Sequence, residues 1–156
     1  MRGKVTALLL GAFAGALATT AAGDSTTRAG TGSAQIRITE TLLRIDRVDL
    51  GARGTSPGDI EIVRTQLFNR RITQRSIGRS ELVCTYVDSL RSRVCRGTYF
   101  LPRGKLVVGG SLRFRQFYDM AIVGGTGLFD NARGTLTVTR ATRRPVRNIV
   151  FFKLVG

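Results

Sequence analysis

Side chains able to do chemistry are few in this chain, and one type is missing: none of its 156 residues is histidine. That removes Ser-His-Asp and Cys-His nucleophilic catalysis, histidine-ligated zinc or copper, and the usual general base near neutral pH. Two cysteines without a histidine cannot complete a structural zinc site, so neither a metal nor a cofactor is expected. Carboxylates are scarce as well, ten against 25 basic residues. Glu40, Asp46 and Asp49 fall in one segment, Asp59 and Glu61 in the next. Even spacing sets Glu40 with Asp46, and Asp59 with Glu61, on one face of a strand. Such pairs could be imagined as a retaining glycosidase site. With so many arginines nearby, salt bridges are the expected use of them, and Asp59 with Gly58 reads as turn chemistry. Gly125-Thr126-Gly127 is only a fragment of a dinucleotide fingerprint, without the third glycine or the following helix, and reads as a backbone corner.

Cys84 and Cys95 are the only cysteines, on successive predicted strands. Direct pairing puts Tyr86 opposite Arg93 and Asp88 opposite Arg91, with Ser89-Leu90 at the tip. In an oxidising compartment this suggests a cross-strand disulfide. Two separate buried thiols, or a reactive thiol at Cys84, are the alternatives; the latter lacks a histidine to lower its pKa.

The elements that must position these groups are strands. About eight strand-like segments follow one another, divided by turn signals. Ile36–Asp49 is long and mixed in phase, which predicts a bulged strand. Residues 51–58 form a loop, Asp59–Phe68 a second strand and Asn69–Ile77 a polar connection. Gly78–Val87 and Arg93–Leu101 are the third and fourth strands. After the turn Pro102-Arg103-Gly104, Lys105–Phe117 alternates strongly, with Leu106, Val108, Leu112 and Phe114 on one face. Two strands then flank the glycine corner, and Arg147–Val155 closes the domain. Consecutive strands on short connections predict an antiparallel meander that removes its edges by closing into a barrel.

Residues 1–22 read as a secretory signal peptide: Arg2 and Lys4, an apolar run from Val5 to Ala18, then small residues before a cleavage site. The apolar run is shorter than a spanning helix needs. Residues 23–34 lack hydrophobic period and read as a flexible leader, leaving 35–156 as one domain. The expected location is therefore extracellular, with no membrane attachment after cleavage. The chain carries a formal charge of +15, and losing Arg2 and Lys4 leaves 23 basic residues against ten acidic. Such a field favours anionic partners such as cell-wall polymers. The basic residues are spread along every strand and loop, and there is no tryptophan to stack bases. Nucleic acid is not an expected partner.

The stretch Tyr118–Leu136 carries a resemblance. Ala121-Ile122-Val123 leads into Gly124-Gly125-Thr126-Gly127, and Ala132-Arg133-Gly134 opens the next strand. This pattern resembles the barrel shared by dirigent proteins and plant allene oxide cyclases, most of all small secreted bacterial proteins described as dirigent-like or allene-oxide-cyclase-barrel-like. The likeness covers roughly residues 36–156 and includes Gly58-Asp59, Gly78-Arg79-Ser80 and Leu101–Gly104. It implies an all-β, eight-stranded antiparallel barrel, with a homotrimer as in the plant relatives. Matched to the cyclases, Arg44 stands where their first-strand glutamate would be, Cys84 at their cysteine and Ser111 near their tyrosine. Losing that carboxylate and phenol argues against allene oxide cyclisation. Matched to dirigent proteins, Asp46 is the candidate for the first-strand aspartate and Arg133 for the arginine of Ala-Arg-Gly. Gly127 stands where many of them carry an aspartate, which argues against their usual coupling chemistry.

These resemblances imply a ligand site at the barrel mouth. Arg133 would bond a ligand oxygen, with Asp46 and Tyr99 as polar partners and Ser111 nearby; Asp46 and Arg133 are the catalytic candidates. The expected function is a secreted scaffold that binds a small apolar or phenolic molecule and orients a reactive intermediate without redox chemistry of its own. A separate oxidase would supply the intermediate. The alternatives are a structural barrel holding anionic wall polymers, and an isomerase or cyclase of a lipid-derived epoxide. Asp46 and Arg133 pointing into an open cavity would favour ligand chemistry. A barrel plugged by Phe114, Phe151 or Phe152 would favour the structural module.

Overall fold

The computed structural model describes residues 33–72, 75–88, 92–113 and 117–155. The residues read as a signal peptide, nearly all of those read as a leader, Ser89-Leu90 and Phe114 lie outside the described residues. Among the described residues every regular element is a strand: β1 (Ala34–Val48), β2 (Ile60–Phe68), β3 (Gly78–Tyr86), β4 (Ser92–Leu101), β5 (Gly104–Arg113), β6 (Phe117–Gly127), β7 (Arg133–Arg143) and β8 (Val146–Val155). Each pairs antiparallel with the next, and β8 returns to β1, so the sheet closes into an eight-stranded barrel with no free edge. β1 opens at Ala34, inside the segment read as leader.

Period-2 alternation decides which side chains enter the barrel. On β3, Ser80, Leu82, Cys84 and Tyr86 are buried while the residues between them are exposed. β5 buries Leu106, Val108 and Leu112 on the face expected of them. In β1 the register shifts between Leu42 and Arg44, the bulge that its mixed phase predicts. The extra residue reverses which positions face inward.

The two ends differ. At one, Leu67, Tyr99, Leu106, Leu136 and Phe152 are fully buried. The Tyr99 ring meets Phe152 edge to face, centroids 5.1 Å apart. Phe152 therefore closes this end, while Phe151 is only half-buried. The other end receives the finish of the odd strands and the start of the even ones, together with the loop 49–59. It holds the cavity.

Cys84 and Cys95 are joined in a disulfide across β3 and β4, their Cα atoms 4.0 Å apart. The register is the one their spacing requires, with Tyr86 opposite Arg93. Loop 49–59 folds around Asp59, whose carboxylate accepts from the Leu50 amide at 3.0 Å and the Ser56 amide at 2.7 Å. Those backbone donors hold its carboxyl below the usual range. This is the turn chemistry expected of Asp59.

Candidate functional site

The cavity encloses about 100 Å³ at the open end of the barrel. Leu42, Ile45, Val63, Leu82, Leu112 and Val146 form its apolar wall. Set among them are Glu40, Glu61, Thr65, Arg93, Tyr118, Arg140 and Asn148, and the half-cystine Cys84. The polar groups arrive from six strands, each at an inward position of its own alternation: Tyr118 in step with Met120 and Ile122, Arg140 with Leu136 and Val138, Asn148 with Val150 and Phe152.

The two carboxyl groups of the lining are buried, each with 2% of its residue surface exposed. Glu61 is gripped by charge. Arg93 donates to Oε1, while Arg47 at 3.2 Å and the Tyr86 hydroxyl at 2.9 Å donate to Oε2. Arg93 is itself buried, so the pair forms a desolvated ion pair in the wall. Glu40 has neutral donors instead. Asn148 Nδ2 donates to Oε1 at 2.7 Å and Tyr99 to Oε2 at 3.4 Å, with a further bond from Thr65. Thr65 in turn shares a 2.7 Å hydroxyl contact with Ser80. Burial outweighs these bonds and raises the Glu40 pKa, favouring its protonated form. Burial, with the nearby Glu40 charge, also raises the Tyr118 and Tyr99 phenols. Tyr118 therefore faces the cavity as a neutral hydrogen-bond donor.

The two residues are anchored at different heights of the barrel wall. Thr65, which touches Glu40, stands four residues from Glu61 on β2, roughly 13 Å along the strand. Neither even-spaced carboxylate pair lines the cavity together, since Asp46 and Asp59 are not among its lining residues.

The residues expected at the mouth are mostly elsewhere. Asp46 faces outward because of the β1 bulge. It bridges Arg44 at 2.5 Å and Arg64 at 2.6 Å. Ser111 is exposed on the outer face of β5. Arg133 begins β7 at the plugged end, seven residues and roughly 23 Å from Arg140. It is exposed and donates to the carbonyl of Ala132 at 3.0 Å. The glycine corner shares that end. Of the four expected ligand residues only Tyr99 is inside the barrel, beneath Glu40 rather than on the cavity surface. A first-strand carboxyl does face inward, but it is Glu40, four residues before Arg44. Arg93, Tyr118, Arg140 and Asn148 were not expected in the site. The signal that marks them is a polar side chain in the apolar phase of a strand.

Solved structures share this architecture. Pyocyanin demethylase superposes with a TM-score of 0.69 at 21% identity, over 78% of this chain and 100% of that one. A pterocarpan synthase dirigent protein follows at 0.64 and 14%, over 80% of this chain and 94% of its own. The fold is the dirigent-type barrel. A Diels–Alderase from Streptomyces koyangensis matches at 0.63 and 14%, over 79% of this chain and 64% of the enzyme. At such identities the dirigent-type likeness is one of fold alone. No protein-family model and no curated protein sequence matches the chain.

Proposed function

We propose that this dirigent-type barrel is secreted, and that its cavity binds a small apolar or phenolic molecule and orients a reactive intermediate without redox chemistry of its own. Glu40 carries this reading. A buried carboxyl that favours its neutral form, at the foot of an apolar-walled cavity, can donate a hydrogen bond or a proton to a ligand oxygen. Tyr118 offers a second donor, and the walls supply shape. Barrels of the same fold support the reading: one is a pterocarpan synthase dirigent protein, another a nonspecific heme-binding cyclase that catalyses a [4 + 2] cycloaddition. The disulfide suits the oxidising compartment that secretion implies. The intermediate would come from a separate oxidase, and the assembly would be a homotrimer.

Native mass spectrometry of the protein secreted by its source tests this. A bound small molecule is expected, and a Glu40→Leu variant of intact fold should lose it. A barrel that stays empty after incubation with source extract would sink the reading. The second reading, a basic outer surface that holds anionic wall polymers, draws support from Arg79 and Lys105, which flank the Phe100 ring at 4.4 and 5.4 Å. It requires polymer binding that salt abolishes while the fold persists.

A further inference from the structure

We propose that Arg47 sets the length of molecule this barrel accepts: swung away from Glu61, it joins the cavity to a second hollow beneath loop 49–59. The ligand then places its head in the cavity and lays a chain under the loop. This rests on the reading that the cavity takes a small, largely apolar molecule, and adds a subsite to it.

Size motivates the extension. The cavity offers about 100 Å³, against the roughly 150 Å³ of an engineered cavity that binds benzene. One ring is therefore the most it takes, and anything longer extends out of it. A second hollow of about 210 Å³ lies under the loop, with Val48, Ile60 and Tyr86 in its wall beside Arg47 and Asp49. One carboxylate stands between the two spaces. Glu61 lines the cavity, while Arg47 and Tyr86, which both donate to its Oε2, line the hollow. The partition is a single layer of side chains.

That layer is unequally held. Arg47 has 70% of its side chain exposed, and its one hydrogen bond among the described residues is the 3.2 Å contact with Glu61. An ion pair so exposed on one side contributes little. When Arg47 leaves, buried Arg93 and the Tyr86 hydroxyl still hold Glu61, so no buried charge is stranded. The roof of the hollow does not depend on Arg47 either. Asp59 fastens the loop through the Leu50 and Ser56 amides, and backbone bonds of Gly58 and Asp59 to Tyr86 tie it to β3. Arg47 is thus the part of the partition that can move alone.

Isothermal titration of the intact protein with methyl and hexyl 4-hydroxybenzoate tests this, the two esters differing only in chain length. The hexyl ester should bind more tightly. Arg47→Ala should tighten it a further two- to fivefold or about that, the small cost of parting an exposed ion pair, and leave the methyl ester unchanged. Thr55→Trp, a replacement at an exposed loop position that fills the hollow, should abolish the hexyl advantage and spare the methyl ester. Equal affinity of the parent for both esters overturns the subsite and leaves the cavity reading standing. A hexyl affinity that does not rise in Arg47→Ala, or rises no more than the methyl, overturns the role of Arg47. A hexyl advantage that survives Thr55→Trp overturns the subsite too, since the chain then lies elsewhere. Binding of neither ester sinks both readings. Should one variant fail to fold, the other still decides, because each alone changes the dependence on chain length.

Discussion

Glu40 and Glu61 are equally buried, yet they meet different donors. Two arginines hold Glu61, whereas Glu40 has only an amide and two hydroxyls, and burial dominates its titration. The sign of the pH dependence follows. A carboxyl whose folded pKa lies above the unfolded 4.5 costs nothing while both states are protonated. As pH rises past 4.5 the unfolded chain ionises first, and stability falls until the folded group ionises too. Glu40→Gln removes that loss, so its stability relative to the parent should grow as pH rises above 4.5. Urea titrations at pH 4, 6 and 8 measure this, and a pH-independent difference would show that Glu40 keeps an ordinary pKa. The same residues show how far the chain could be read unaided. Glu40 and Glu61 stood out as scarce carboxylates. Arg93, Tyr118 and Arg140 did not, because arginine is everywhere in this chain and only the inward phase of each strand singles these three out.

At the scale of the element, one inserted residue redirects the site. β1 was legible as long and bulged, but the position of the bulge, between Leu42 and Arg44, is what turns Asp46 outward and leaves Glu40 inside. Even spacing keeps two residues on one face only while the alternation is unbroken. The glycine corner behaves similarly. It was legible as a corner, and β6 runs through it to Gly127, but only the closed topology assigns it to the plugged end. Gly134, near the start of the following strand β7, is a more demanding position. It has φ +144°, and a Cβ there would lie 1.9 Å from the Lys153 carbonyl oxygen. Gly134→Ala should therefore destabilise by more than about 1 kcal/mol, since the conformation disfavours a side chain and β8 must shift. Thermal unfolding checks this, and an unchanged midpoint would refute the close approach of β7 to β8.

The whole molecule is a closed sheet with one packed end and one open end. The disulfide ties β3 to β4 inside it and contributes by restricting the unfolded chain. For cysteines 11 residues apart the loop-entropy contribution is about 2–3 kcal/mol. The Cys84→Ala, Cys95→Ala double variant should lose about that much in denaturant unfolding, beyond any effect shared with the reduced parent. A double variant as stable as the oxidised parent would show that the barrel needs no cross-link.

The amino-acid sequence by itself determined the strands, the disulfide register and the turn at Asp59, and its resemblance to a known family implied the dirigent-like barrel. Alternation, turn residues and spacing are local properties, and neighbouring strands in a meander pair locally. Only the tertiary structure decided which end is plugged, where the cavity opens, and that Glu40, Tyr118, Arg140 and Asn148 meet there. Those residues come from β1, β6, β7 and β8, up to 108 positions apart. What brings them together is the register in which β8 closes onto β1 and the position of the bulge that sets the inward face, and no local pattern encodes either one.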